Sequence, residues 1–473
     1  MPSLVIEPQY SSRTYKPSAY DPEIMLNHTM KGGGKIWTFQ IGGAGCSKRV
    51  TRIPVNMSYK NIDIYGFGQD SLGILKQPTQ LILTLADGHG PRVEGKEMSY
   101  KVHEYMITYI SDYRDYFVTL LRQDDHKSIE KIVCDICKQV DDTLLTCDIR
   151  TSEFKSGGTT FTMIHKILDE DDGSLYTISY NVGDSPYFKI KIGKEATVEE
   201  VSQEQNCDNM ECIEQYYNLC LKEGDTPSKV ILGRFNTLKG FKTPWMGNDT
   251  INPYNVNLKN GKYKCSVNED VMRKMYENAP ESIKKGVLYS GGPQSIRGRV
   301  RNIEELQAGR FPAPNFGNTL DGDLQMPFSF GDKKSKHTHH IKCVPHIAIT
   351  KEQTLSEESF DFVSSDGAID CLTDDDIKDL FKGYKCVSQH DFMELVKTSI
   401  DVNATKVGFG FSQHTKMPTW DDLSYWIVET KVTEDLEFKV NKLEEEHEQM
   451  TKLANRIKHE LSLVNTLISA LSE

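Results

Sequence analysis

The chain has no long hydrophobic run. No stretch approaches the roughly eighteen continuous apolar residues of a membrane-spanning helix, so no membrane partner is expected. It has no excess of basic charge either. Its 473 residues carry 56 Lys+Arg against 68 Asp+Glu, a formal charge of −12, which argues against a nucleic-acid footprint or a basic membrane surface. Met1-Pro2-Ser3-Leu4 lacks the basic-then-apolar layout of a secretory signal. The 11 cysteines are an odd number spread over a long chain, so a reduced, cytoplasmic setting is expected rather than a disulfide framework. What is present suits a folded, soluble protein: 38% hydrophobic and 9% aromatic residues are enough to bury a core. The length implies two domains, or one domain with large insertions.

Residues 1–35 read as a lead-in, with Tyr, Ser and Pro scattered around Gly32-Gly33-Gly34. That run before Lys35 lacks the spacing of a phosphate-binding loop and reads as linker. From about 36 the alternation is strand-like, at Ile36–Ile41, Asn61–Phe67 and the apolar run Leu81–Ala86. Helical spacing follows over 98–122 and 126–146, then strands over Thr159–Ile167, Leu175–Val182 and Tyr187–Ile192. Between 195 and 320 the pattern blurs into an insertion, with a helical stretch over Glu200–Glu223 and a hairpin turn at Asn260-Gly261. Strands are expected again at Ile341–Ile349, Ser359–Ser364 and Tyr425–Val432, with helices over 374–382 and near 390–400. This order predicts an α+β fold with antiparallel sheets covered by helices.

The last forty residues change character. Apolar residues recur in a four-three alternation from Leu436 to Leu471, with Val440, His447, Ala454, Leu461 and Ile468 at a and Leu443, Met450, Ile457, Val464 and Leu471 at d. Charged residues crowd the remaining positions and no Pro or Gly interrupts. A coiled coil over 433–473 is expected, with homo-oligomerisation through residues 436–471. A single amphipathic helix folded back on the domain is the alternative.

A second pattern concerns acids. Apolar strands end in Asp beside Gly at Ala86-Asp87-Gly88-His89, Val182-Gly183-Asp184 and Ser365-Asp366-Gly367. Asp63 lies within a strand, and Asp421-Asp422 opens another. Strands in one sheet lie about 5 Å apart, so carboxylates at their ends converge. Oxygen ligands without His or Cys suit Mg²⁺ or Mn²⁺ better than zinc. Each Asp-Gly pair alone reads as a turn; number and order shift the reading.

These residues resemble the metal-dependent Ser/Thr protein phosphatases of the 2C type. Asn61-Ile62-Asp63, Asp87-Gly88-His89-Gly90, Ser156-Gly157-Gly158-Thr159-Thr160 and Gly183-Asp184-Ser185 match motifs of that family. So do Gly322-x-Leu324 with Phe330-Gly331-Asp332, Val344-Pro345-His346-Ile347, Ser365-Asp366-Gly367-Ala368-Ile369-Asp370 and Asp421-Asp422-Leu423-Ser424. They fall in the family's order over about 60–430.

The resemblance implies two antiparallel sheets packed as a sandwich flanked by helices, over a domain at 36–432. It implies two Mn²⁺ or Mg²⁺ ions per subunit and phosphoprotein substrates carrying phosphoserine or phosphothreonine. By carry-over Asp87 bridges both ions, Gly88 binds one through its carbonyl, and Asp63 holds one largely through water. Asp366 and Asp421 complete the other. Metal-activated water attacks phosphorus, and His89 is the general acid for the leaving alkoxide. Asp370 is available to a weaker third site.

The chain also departs from the family. Ser58 stands where many members have a phosphate-contacting Arg, Phe328 replaces the Arg usual before Phe-Gly-Asp, and Phe154 replaces an Asp before the Ser-Gly-x-Thr motif. These departures motivate a second reading, a pseudophosphatase scaffold that binds partners through its coiled coil. Cys134-x-x-Cys137 reads as structural cysteines on a helix. The histidines at 337, 339, 340 and 346 read as a solvated loop, and Lys333-Lys334-Ser335-Lys336 is too short to bind nucleic acid.

Overall fold

The computed structural model describes residues 21–46, 56–59, 61–90, 92–146, 157–193, 196–203, 205, 210–222, 254–278, 326–333, 336, 341–352, 358–382, 389–406 and 422–472. The chain enters through β1 (Asp21–Gly32) and β2 (Lys35–Cys46), paired from Ile24↔Gly43 to Gly32↔Lys35. Gly33 and Gly34 form the two-residue turn, with φ +54° and +76°. Positive φ at both central residues is what a type I′ hairpin demands. Gly33 also donates its N–H to Glu170 O at 2.9 Å, and a Cβ there would run into the Asp172–Gly173 backbone. Residues 21–35 are therefore sheet and turn rather than lead-in, and the glycine run is a turn rather than linker. Residues 1–20 lie outside the described ones.

Two antiparallel sheets carry the fold. The first has β1 and β2 beside β18 (Leu423–Glu434), β17 (Glu358–Ser364), β11 (Tyr187–Ile192) and β12 (Ala196–Glu200), in that order. The second runs β16 (His346–Glu352), β10 (Leu175–Val182), β9 (Phe161–Leu168), β6 (Gln80–Ala86), β5 (Asp70–Gln77), β4 (Ile62–Phe67), β3 (Asn56–Tyr59). The strand expected over Ile341–Ile349 starts only at His346, just after Pro345, which has no N–H for a ladder.

The faces between the sheets carry Trp37, Phe39 and Ile41 of β2, Leu83 of β6, Ile164 of β9 and Trp426 of β18, all buried. Trp426 Nε1 donates to Thr84 O at 2.8 Å across the gap, so the two sheets are bonded as well as packed. This is a sandwich. A third, short sheet of β7 (Gly88–His89), β8 (Gly158–Thr159) and β15 (Phe330–Gly331) sits at one end of it.

Helices cover both outer faces. α1 (Arg92–Asp112), α2 (Arg114–Arg122), α3 (His126–Thr146) and α4 (Met210–Lys222) pack on the seven-stranded sheet through Val102, Met106, Phe117, Val133 and Tyr216. The helix expected over 98–122 is broken at Tyr113, whose φ of −91° and ψ of 3° leave the α region; the break turns Phe117 and Leu121 onto the core. α6 (Asp366–Ile369), α7 (Asp374–Lys382) and α8 (Gln389–Lys406) pack on the other sheet around Phe360, Phe381 and Phe392.

Of the stretch 195–320, residues 196–203, 205, 210–222 and 254–278 are described. Glu200, where the expected helix begins, closes β12, and the helix is α4, which starts at Met210 and adds Tyr216 and Tyr217 to the core. β13 (Tyr254–Lys259) and β14 (Lys262–Val267) form the expected hairpin on Asn260-Gly261, both at positive φ; α5 (Glu269–Asn278) follows. Residues 223–253 and 279–325 lie outside the described ones.

Between the sheets lies a closed cluster of charge. Lys166 of β9 pairs with Asp361 of β17 at 2.7 Å and reaches Glu352 at 3.5 Å, and Lys189 of β11 pairs with Glu352. Tyr187 Oη donates to Asp361 and Thr177 Oγ1 to Glu352, each at 2.6 Å.

β18 leads into α9 (Leu436–Ser472), a single helix of 37 residues that covers nearly all of the expected 433–473 segment. Asp435 N–H bonds Gly34 O at 2.9 Å, which fixes the helix start on the β1–β2 turn.

Candidate active site

The β5–β6 hairpin turns on Pro78-Thr79, with Gln77 opposite Gln80 and Ser71 opposite Ala86. Carried one step further, this register sets Asp70 opposite Asp87, where the Cα separation would be about 5 Å. Gly88 N–H bonds Gln69 O at 3.2 Å and continues the contact. Asp70 is fully buried. The apolar, strand-forming run Leu81–Ala86 thus delivers Asp87 to the end of the sandwich, and the antiparallel register delivers Asp70 to the same place.

The other sheet meets them there. Ser365 N–H bonds Ser424 O at 2.9 Å, and Ser424 N–H bonds Ser365 Oγ at 2.9 Å. These bonds tie the start of α6, and with it Asp366, to the start of β18. Gly367 has no room for a Cβ, which would run into Asp422 O. Gln69 N–H then donates to Asp422 Oδ2 at 2.9 Å. That single bond joins the residue beside Asp70 to the residue beside Asp421, so the carboxylates of both sheets converge. Asp421 itself lies outside the described residues.

The short third sheet gathers three of the motifs. Gly88 pairs with Thr159, His89 with Gly158, and Phe330 and Gly331 pair with Thr159 and Gly158. Asp87 O accepts from Thr160 N–H and from Thr159 Oγ1, both at 2.9 Å. Ser156, where that motif begins, lies outside the described residues, as do Gly322 and Leu324. Gly158 is required where it stands, because a Cβ would run into the Asp332 carboxylate and the His89 ring.

Asp332 follows Gly331, both at positive φ, and this tight turn aims its carboxylate at His89. His89 Nε2 and Asp332 Oδ2 are 2.7 Å apart, and Ser329 Oγ donates to the same oxygen at 2.5 Å. The turn is held by Asp141 of α3, which accepts from Gly331 N–H at 2.9 Å and pairs with Lys336 at 2.7 Å. Burial alone would depress the His89 imidazole. Asp332, with smaller help from Asp184 and Asp366, outweighs that and raises its pKa above the ordinary value. Nδ1 of His89 is buried with no hydrogen-bond partner among the described residues.

Asp63 is the expected site residue that the geometry separates from the others. On β4 it stands opposite Ile74, whereas Asp70 stands opposite Phe67. Four residues at about 3.3 Å each put Asp63 roughly 13 Å along the sheet from Asp70. Its neighbour there is Tyr65, whose phenol is raised by burial and by the Asp63 charge. The acid beside Asp87 is Asp70. The signal was the turn: a hairpin centred on Pro78-Thr79 pairs 70 with 87 by counting.

The first turns of α1 add groups that motif matching passed over. Lys96 Nζ lies 5.7 Å from the Tyr100 ring centroid, and burial pulls it down to about 8 against the opposing pull of Asp422. Further along α1, buried His103 bridges Ser71 Oγ at 2.8 Å and Thr84 Oγ1 at 2.7 Å. Burial lowers it to about 3, so it is neutral and holds α1 to β5 and β6 directly behind Asp70.

Other sequence candidates lie elsewhere. Cys137 is buried within α3, and burial pushes its thiol well up. His346 opens β16, where Gln203 N–H donates to its Nδ1 at 3.3 Å; His337, His339 and His340 lie outside the described residues. Asp370 follows α6 directly, its N–H bonded to Asp366 O at 2.8 Å.

The donor set at the sandwich end is carboxylate and carbonyl oxygen, with Asp70, Asp184, Asp332 and Asp422 all buried. Hard divalent cations such as Mg²⁺ and Mn²⁺ match such donors, and a buried excess of carboxylate calls for positive charge. In chemistry the residues fit a metal. Among the described residues, no three His, Cys, Asp or Glu side chains already stand in an arrangement that would hold an ion.

The chain's likeness to known proteins lies in its fold. No family model matches it, and no curated protein does. Solved structures do. The serine-threonine phosphatase 2C from Toxoplasma gondii is 12% identical with a TM-score of 0.45, over 87% of this chain and 99% of that one. A serine/threonine phosphatase from Staphylococcus aureus is 14% identical with a TM-score of 0.37, over 86% and 98%. The catalytic domain of the serine threonine protein phosphatase PstP, solved with 2 manganese ions, is 10% identical with a TM-score of 0.35, over 84% and 99%.

Proposed function

We propose that the protein is a metal-dependent phosphatase of phosphoserine and phosphothreonine in proteins. The observation that carries this reading is the convergence at one end of the sandwich. Asp70 and Asp87 come from one sheet, Asp366 and Asp422 from the other, and the Gln69–Asp422 bond joins them.

Asp70, Asp87, Asp366 and Asp421, with the Gly88 carbonyl, are the residues that would hold two Mn²⁺ or Mg²⁺ ions. Bound there, the ions supply an activated water and neutralise phosphoryl charge. The chain's own residues do the rest. Asp332 and Ser329 fix the His89 ring through Nε2, which leaves Nδ1 to carry the proton that the departing serine or threonine oxygen needs. His103 and Gln69 hold the strand end on which Asp70 sits. Lys96 offers a cation in the first turns of α1.

The test is phosphate release from a phosphopeptide by the purified chain with Mn²⁺, with Asp87→Ala as control. No release above that control overturns the reading. A non-catalytic scaffold is favoured by one observation: Phe328, in place of an Arg, is fully buried against Tyr216 with ring centroids 6.4 Å apart. That position therefore offers no charge to a phosphate.

A further inference from the structure

α9 is a problem left unsolved by the domain it grows from. From Leu436 onward each of its residues with a described side chain is exposed, including Leu443 at 64%, Met450 at 65% and Leu461 at 57%. Its start is anchored on the described part of the domain: the Phe438 ring covers Gly34, and Lys439 pairs with Glu434. Beyond that, 37 residues at about 1.5 Å each reach roughly 55 Å. Apolar side chains at a strict 3.5-residue period form a seam for another helix, because most helix stability in proteins comes from packing such a face.

We propose that the seam is filled by α9 of a second copy of this chain, parallel and in register. The charges beside the seam favour that arrangement. In a parallel pair Lys439 at g faces Glu444 at e of the second copy. The later g–e pairs, Glu446–Thr451, Leu453–Lys458 and Glu460–Asn465, contain no like charges. In an antiparallel pair with full overlap, Glu446 faces Glu460 and Lys458 faces Lys458, two repulsive contacts.

His447 selects register in the same way. Only in-register pairing stacks imidazole on imidazole, and a slip of one heptad buries each ring against an apolar layer. The area is sufficient as well. Nine large apolar side chains occupy a and d positions on each helix, each burying roughly 60–120 Å². Two helices then bury on the order of 1,100–2,200 Å², the range of stable interfaces.

Sedimentation equilibrium of the full chain tests this. A mass of two 53.7-kDa chains is expected. Ile457→Asp with Val464→Asp, on a face that touches no described part of the domain, is expected to give one chain with the domain's thermal transition unchanged. Orientation is read from Leu443→Cys and Leu471→Cys, made separately and oxidised mildly beside the unsubstituted chain. Each is expected to form a disulfide with its own copy. A single-chain mass at every concentration, a mass of three or four chains, an unchanged dimer in the double variant, or no disulfide from either cysteine variant would overturn the proposal. None of these readouts depends on phosphatase activity.

Discussion

Among the described residues, two buried clusters of charge in the sandwich are built to opposite rules. Between the sheets, Lys166 and Lys189 meet Glu352 and Asp361, with Tyr187 and Thr177 completing the hydrogen bonds. Burial would push the Glu352 carboxyl up, but the two ammonium groups win and hold it below its ordinary value. Charge balances there and the cluster closes on itself. At the sandwich end, Asp70, Asp184, Asp332 and Asp422 are buried, with Asp87 and Asp366 beside them. His89 and Lys96 are the basic groups that feel them. A balanced buried cluster locks two sheets together; an acidic excess at a strand end is unfinished without a cation, and such sites are where function concentrates.

The contrast can be broken from either side. Asp70→Asn is expected to cut Mn²⁺-dependent phosphate release by about 10³-fold, the upper scale for losing a preorganised charge at the reacting group, with the thermal transition retained. His89→Ala is expected to cost about 10²-fold on a phosphoserine peptide. It should cost less on p-nitrophenyl phosphate, whose leaving group needs no proton; equal losses on both substrates would remove the general-acid role.

The balanced cluster behaves differently. Lys166→Met removes the ammonium paired with Asp361, leaving Lys189 to balance two buried carboxylates, and is expected to cost about 3–5 kcal/mol in urea unfolding, while the folded fraction keeps its activity. The smallest effect is in acid. A carboxyl with a depressed folded-state pKa contributes fully above its unfolded value, here the ordinary 4.5, and loses that contribution as pH falls through the depressed value. Unfolding followed below pH 4.5 should therefore show a shallower decline for Glu352→Gln than for the unsubstituted chain.

Much of this was legible in the chain and some was not, for identifiable reasons. Period-2 alternation located Leu175–Val182 and Tyr187–Ile192 residue for residue, because both strands stand in well-packed sheets. Asn260-Gly261 marked its hairpin because few residue pairs accept positive φ twice. The Gly33-Gly34 turn obeys the same rule, yet it reads as linker because the stretch before it has no clear alternation. Motif resemblance points to Asp63, whereas strand register, which follows from the position of the Pro78-Thr79 turn, brings Asp70 beside Asp87. The His89–Asp332 pair joins residues 243 apart, and no local pattern reports such a contact.

The central claim is that Asp70 and Asp87, across one rung of a hairpin, form the floor of a metal site that excludes Asp63. Calorimetric titration with Mn²⁺ tests it most directly. Saturable binding is expected for the unsubstituted chain and for Asp63→Asn, with binding lost or strongly weakened in Asp70→Asn. Binding that survives Asp70→Asn but is abolished by Asp63→Asn, or no binding by the unsubstituted chain, would contradict it.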